Sequence, residues 1–284
     1  ADEQGSGPEK EFRVMRSIAV INQKGGVGKT TTSVNLSAAL AAAGHRVCLI
    51  DLDPQAHASL HLGVALTDQD ASVYDVLTGQ TALADVRHAI DDNLTLVPAH
   101  LNLAVAELEL AGEVGRDVIL RDKWKPSVDA YDYLVIDCPP SLGILTLNAL
   151  TTVHEVFLPL QPHFLALHGL SKLLHTVELV AARLNPQLRL TGVVMCMFDS
   201  ATRLAAEVSR DVEQFFATHA NSGSVWSGAH CFQTRIRRNI RLAEAPSFGQ
   251  SIFQYAPASR GAEDYRALAQ EVMEQAVLAR QTAA

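Results

Sequence analysis

The strongest constraint on this chain lies near its start. The apolar run Ser17–Asn22 leads into Gln23-Lys24-Gly25-Gly26-Val27-Gly28-Lys29-Thr30-Thr31, and an Ala/Leu-rich helical stretch, Lys29–Ala43, follows and is closed by Gly44. Strand, glycine loop and helix in that order build a cradle for phosphate. The glycines let backbone N–H groups turn around phosphate oxygens without Cβ obstruction, and the helix start adds its positive dipole end. In such a cradle Gly25, Gly26, Val27, Gly28 and Thr31 surround the phosphates. Lys29 reaches the β/γ-phosphates, and the Thr30 hydroxyl is the expected Mg2+ ligand.

The remainder of the chain repeats the same alternation. Apolar, β-branched runs recur at Arg46–Asp51, Leu94–Pro98, Tyr133–Cys138, Val156–Leu160 and Thr191–Phe198, and helical spacing is readable at Leu165–Leu184, Thr202–Thr218 and Ala262–Arg280. Runs apolar on both alternating positions predict strands buried on both faces, hence an α/β fold: a mostly parallel twisted sheet with helices on both sides. Such sheets hold ligands at the carboxyl ends of their strands. With no repeat and no dividing linker, residues 16–284 are expected to form one P-loop NTPase domain, and the polar residues 1–15 a disordered tail. The four cysteines form no CxxC pair, so they are expected to be reduced residues of a cytoplasmic protein. No apolar run approaches the ~20 residues of a membrane-spanning helix.

Three acids stand at strand ends. Alternation places Asp51 and Asp53 of Asp51-Leu52-Asp53-Pro54-Gln55 on one side, toward the phosphate loop, and Asp137 ends Tyr133-Leu134-Val135-Ile136-Asp137. Asp51, Asp53 and Asp137, with Thr30, are the candidate metal-site residues. Phosphoryl transfer to water is catalysed by orientation and charge compensation, which gives a carboxylate beside Mg2+ a water-positioning task.

The usual G-x-x-x-x-G-K-[ST] pattern requires glycine at position 23. Here Gln23 stands there, and Lys24 is an additional lysine. This deviant Walker A loop resembles that of the ParA/MinD ATPases. The resemblance continues through Pro159-Leu160-Gln161-Pro162 with Ala166-Leu167-His168-Gly169-Leu170, through Arg238-Asn239-Ile240-Arg241-Leu242-Ala243-Glu244-Ala245-Pro246-Ser247, and through Gly261-Ala262-Glu263-Asp264-Tyr265. It covers roughly residues 16–276 and is closest to the chromosomal ParA/Soj branch. It implies ATP and Mg2+ as ligands, catalytic roles for Lys24, Lys29 and Asp53, and an ATP-dependent homodimer in which Lys24 crosses to the partner's nucleotide. It also implies non-specific double-stranded DNA as a partner, a ParB-type protein that activates hydrolysis, and a cytoplasmic, nucleoid-associated place in the cell. Two departures touch the site. The family usually continues Asp-Pro-Gln with Gly-Asn-Ala, whereas this chain reads Ala56-His57-Ala58, and it usually has proline where Arg237 stands, beside Asn239, which the resemblance places at the adenine.

Between His230 and Leu242 lie Arg235, Arg237, Arg238 and Arg241 with no acid among them, in a chain of net charge -8. Local rather than net charge decides contact with phosphate backbones, so this island, with Arg203 as a weaker addition, is the candidate DNA face. The alternative is a solvated network in which these arginines pair with Glu244, Asp211 or Glu213. A MinD-like membrane ATPase would need a basic amphipathic C-terminal helix, whereas Ala262–Ala284 carries Glu263, Asp264, Glu271 and Glu274 against Arg266 and Arg280. The cargo of a partition ATPase, whether chromosome, plasmid, protein cluster or microcompartment, stays open at this level. So does a metabolic ligase of the same fold.

Overall fold

The computed structural model describes residues 15–163, 170–220 and 222–283, with side chains as far as 275. The expected tail, apart from Met15, and the segment Ala166–Gly169 lie outside the described residues. In chain order the elements are β1 (Arg16–Val20), α1 (Lys29–Ala42), β2 (Val47–Asp51), α2 (His57–His61), α3 (Val73–Thr78), β3 (His88–Ala89), β4 (Leu94–Val97), α4 (Leu103–Glu109) and α5 (Ile119–Trp124). Then follow β5 (Tyr133–Asp137), α6 (Ile144–Thr152), β6 (Glu155–Leu160), α7 (Leu170–Arg183), β7 (Arg189–Phe198), α8 (Arg203–Thr218), β8 (His230–Arg237), α9 (Ile240–Glu244), α10 (Ile252–Tyr255) and α11 (Arg260–Ala283).

The eight strands form one sheet in the order β3-β4-β2-β5-β1-β6-β7-β8. Every pairing is parallel except the short β3–β4 edge. Alternate side chains of each central strand feed two cores. Ile18, Val20, Leu49 and Val135 pack with Val34, Leu40, Leu268 and Val272 of α1 and α11, and Ala19, Ile50, Leu134 and Ile136 pack with the helices of the other face. Since β1 lies between β5 and β6, the phosphate loop leaves the centre of the sheet. The register sets Val20 beside Asp137 and Asp51 beside Asp137, so the candidate acids end adjacent strands at one level.

The strand β8 was not among the expected strands. In His230-Cys231-Phe232-Gln233-Thr234-Arg235-Ile236-Arg237 only Phe232 and Ile236 are fully buried, because this is an edge strand with one solvated side.

Two non-glycine residues adopt left-handed backbone, Ala56 at φ 52° and Met197 at φ 51°. Ala56 immediately precedes α2 and stands where the ParA pattern has glycine. A Cβ in this region costs about 1–2 kcal/mol, partly offset by the greater freedom of glycine in the unfolded chain. Ala56→Gly is therefore expected to stabilise the protein by about 0.5–1 kcal/mol, read as a rise in Tm of roughly 1–3 °C. An equal or lower Tm would show that Ala56 carries no strain.

Candidate nucleotide site

The phosphate loop is pinned before it turns. Asn22 donates from Nδ2 to the Pro159 carbonyl (2.8 Å) and accepts from the Lys24 N–H at Oδ1 (3.0 Å). Gly28, at φ 96°, caps α1 in a conformation that disfavours a side chain, and a Cβ there would also sit 3.4 Å from that of Cys196. Lys29 is 7% exposed and its ammonium lies 3.4 Å from the Lys24 carbonyl, so it bridges the loop from inside. Burial pulls its pKa below the ordinary lysine value, while Asp137 and Asp53 oppose that shift. A bound polyphosphate would supply further compensating charge.

The acids divide into three environments. Asp137 is fully buried and accepts from the hydroxyls of Thr30 at Oδ2 and Ser33 at Oδ1, both at 2.8 Å. Asp51 is also fully buried: Oδ2 accepts from Ser59 N (2.8 Å) and Oγ (2.7 Å), and Oδ1 from Asp53 N (3.1 Å). Burial pushes both carboxyls above the ordinary aspartate range. Asp53 lines the open cavity, with Oδ1 accepting from Gln55 N at 3.0 Å. Alternation thus puts Asp51 and Asp53 at one strand end, but Asp51 turns inward to hold α2. Ser33 and Ser59, which complete the acid network, were not singled out in the sequence because serine carries no distinctive spacing there.

A cavity of about 880 Å³ runs from Gly25, Lys29 and Asp53 to a second wall that includes Met197, Ile236 and Asn239. That volume suits a nucleotide. Asn239 caps α9 by accepting from Arg241 N at 2.8 Å, and the fully buried Tyr265 of α11 reaches the α1 hydroxyl of Thr32 at 3.2 Å. Among the described residues no three His, Cys, Asp or Glu side chains converge on a metal position. The hard oxygens of Thr30, Asp53 and Asp137 fit Mg2+, which keeps waters and takes few protein ligands when phosphates supply the rest.

Lys24 is exposed, in contrast to Lys29, and its ammonium contacts Nε2 of His163 outside the cavity wall. The arginine island is largely neutralised. Arg235 pairs with Glu213, Arg237 with Asp264 (2.6 Å) and Glu263 (3.2 Å), and Arg241 with Glu244 (2.8 Å). Arg238 and Arg203 are exposed and make no ion pair among the described residues. Glu244, three residues along from Arg241, and Glu213 of α8 are partners the sequence already offered, whereas Glu263 and Asp264 of α11 are brought to Arg237 by the fold.

The AAA domain family model matches residues 15–190 of this chain. The sporulation initiation inhibitor protein Soj of Bacillus subtilis is 46% identical over 90% of this chain and 97% of its own length. The chromosome partitioning protein ParA of Myxococcus xanthus is 42% identical over 95% and 92%. Among solved structures, cobyrinic acid a,c-diamide synthase from Mycobacterium smegmatis with bound ADP and magnesium superposes with a TM-score of 0.77 at 35% identity, covering 91% of this chain and 94% of that one. The Pyrococcus furiosus cell division ATPase MinD gives a TM-score of 0.71 at 26% identity, covering 92% and 99%. A phosphate loop with two lysines, acids at in-register strand ends and relatives matched over nearly their whole length give one answer: the chain belongs to the Soj/ParA family of chromosome-partitioning ATPases.

Proposed function

We propose that this chain binds MgATP, closes on it as a sandwich homodimer, holds DNA without reading its sequence, and releases it when a ParB-type partner stimulates hydrolysis. Chromosome or plasmid DNA is then positioned by repeated binding and release. The observation that carries this reading is the division of labour between the lysines: Lys29 is buried inside its own cradle, whereas Lys24 stands exposed outside the cavity wall. A second lysine so placed has no task at its own phosphates and is free to serve a partner's.

Within each protomer, the N–H groups of Gly25–Gly28 and Lys29 take the phosphates, and Asn239 lies at the opposite wall for the base. Mg2+ would be held by Thr30, with Asp137 and Asp53 acting through water, and would neutralise developing phosphate charge. Asp53, open to the cavity, orients the attacking water. Asp51 serves this site indirectly, because its hold on Ser59 and Asp53 N fixes the loop that carries Asp53.

For DNA, Arg238 and Arg203 are the two of the five candidate arginines that are exposed without an acid partner among the described residues, so they lead the proposed contact, with Arg235, Arg237 and Arg241 screened by Glu213, Asp264 and Glu244. Contacts of this type go to phosphates and are lost steeply with salt. No helix among the described residues is long and apolar enough to cross a membrane.

Lys24→Ala is expected to abolish ATP-dependent dimerisation in sedimentation velocity while the monomer retains ATP affinity; an unchanged dimer overturns the cross-subunit role. Asp53→Ala should lower stimulated turnover about 100-fold or more while ATP and DNA binding persist, and turnover near wild type would place the water elsewhere. Arg238→Glu should weaken DNA binding about tenfold or more at low salt, and Arg241→Glu less, with ATP affinity unchanged. Equal retention of DNA in ADP and ATP, or turnover raised by a corrin carboxylate instead of DNA and a partner, would favour a ligase of this fold.

A further inference from the structure

Where the ParA pattern usually has Gly-Asn, this chain has Ala56-His57, and His57 lines the nucleotide cavity. The backbone that presents it is held at three points. Ala56 N donates to the Asp53 carbonyl at 2.8 Å and closes the turn after β2, Leu60 N donates to the Ala56 carbonyl at 2.9 Å, and Ser59 is tied to Asp51. Within that turn Ala56 keeps its left-handed backbone at φ 52°. A non-glycine residue in this region is strained and persists where the surrounding structure over-determines it, commonly at ligand clamps. His57 then opens α2 with an exposed imidazole at the cavity, without a hydrogen bond or ion pair among the described residues.

Sheet order decides which end of the nucleotide this imidazole meets. β1, which launches the phosphate loop, has β5 and β2 on one side and β6, β7 and β8 on the other. Met197 of β7, Ile236 of β8 and Asn239 just beyond it form the wall taken for the base, so the phosphates run away from them, over the loop, toward β2. Asp53 and His57 both follow β2 and take the terminal-phosphate end. Among the described residues that line the cavity His57 is the sole imidazole. The charges that share the lining are Lys29 on α1, Asp53 after β2, and Arg237 and Arg238 at the end of β8, on the base side.

We propose that His57 donates a hydrogen bond to the terminal phosphate of ATP and thereby sets how strongly this chain prefers ATP to ADP. The inference rests on the nucleotide reading of the cavity and adds to it a ligand that lies outside the phosphate loop. The ring can donate whether neutral or protonated, and the protonated ring adds a charge that offsets the extra negative charge of the terminal phosphate. Asparagine, the usual family residue, offers only the neutral bond. With an imidazole, the preference for ATP strengthens as pH falls from 8 to 6, the window in which histidine changes charge. Phosphate stabilises the protonated ring, so the added affinity is present at the lower pH and is lost as pH rises.

The test is isothermal titration of the full chain with MgADP and with the Mg2+ complex of a slowly hydrolysed ATP analogue, at chain concentrations where sedimentation shows monomer. Wild type, His57→Ala and His57→Asn are compared; His57 is exposed, so both variants should keep the wild-type melting curve. His57→Ala should weaken the analogue about tenfold or more and leave ADP within about twofold, while His57→Asn recovers most of the loss at pH 8. Between pH 8 and pH 6 the wild-type ratio of ADP to analogue dissociation constants should rise about threefold or more, and that of His57→Asn should stay level. Asp51 and Asp137, whose carboxyls burial pushes upward, are present in both proteins, so their titration cancels in this comparison. Equal losses for ADP and the analogue in His57→Ala overturn the proposal and leave His57 only a part in shaping the loop. Unchanged binding by His57→Ala, or a pH response shared by wild type and His57→Asn, overturns it as well. A wild-type chain that binds neither nucleotide fails the nucleotide reading itself, whereas binding of both with no dependence on His57 fails only this inference.

Discussion

Everything at the carboxyl edge of this sheet depends on keeping two buried aspartates apart in function while their backbones stand side by side. Asp51 and Asp137 are register partners on β2 and β5, both without solvent. An unpaired buried carboxylate costs several kcal/mol, so each must recruit its own donors. Asp137 takes the hydroxyls of Thr30 and Ser33 and thereby ties the first turns of α1 to the sheet; Asp51 takes Ser59 and ties α2. Ser59 Oγ in turn accepts from Ala99 N at 3.0 Å, which draws the chain after β4 into the same arrangement. The phosphate cradle, the Asp53 loop and the approach to α4 are thus three consequences of satisfying one acidic pair.

The same frame reaches the arginine segment. The end of α2 meets the turn after α9 through two left-handed glycines, Gly63 at φ 76° and Gly249 at φ 63°, whose backbones approach so closely that a Cβ on Gly249 would lie 2.8 Å from the Gly63 Cα. Beyond that contact, Ile252 N donates to Asn35 Oδ1 of α1 at 2.8 Å. Residues 245–252 are therefore gripped by both helices that Asp51 and Asp137 anchor. A change in either nucleotide-facing helix has a packed route to Arg238 and Asn239, which is the physical requirement for coupling an ATP state to a distant face.

What could be read from the residues alone followed from periodicity and local order. The buried strands announce themselves by continuous apolar runs, and the phosphate loop by strand, glycines, two lysines and helix in sequence; β1, β2, β4, β5, β6 and β7 all fall within two residues of the expected runs. The edge strand β8 did not announce itself, because its solvated positions carry Gln233, Arg235 and Arg237 and read as a basic island. The acid partners of that island were legible only where they were near in sequence or composition pointed at them, as with Glu244 and Glu213; Asp264 is brought to Arg237 by the packing of α11 on β8. Alternation likewise placed Asp51 and Asp53 together, yet it could not show that Ser59 would turn Asp51 inward. Long-range pairing of polar groups is decided by tertiary contacts, on which local patterns are silent.

That pairing also accounts for Arg237 in a position where the family usually has proline. Asp264 is 6% exposed, and it accepts from the Arg237 backbone N–H at 2.9 Å and from its Nε at 3.0 Å. Proline offers none of these donors, so at this position it would leave a buried carboxylate without the backbone N–H, Nε and Nη2 of Arg237. Arginine and aspartate therefore act as a unit that fastens the end of β8 to α11, beside Tyr265 and its contact with Thr32 of the phosphate helix. The extra cation of this chain, half-exposed at the wall of the nucleotide cavity, is compensated by Asp264 and Glu263. Arg238, the next residue, points outward without an acid among the described residues and inherits that surface. In three dimensions this departure from the family pattern braces the wall of the nucleotide cavity.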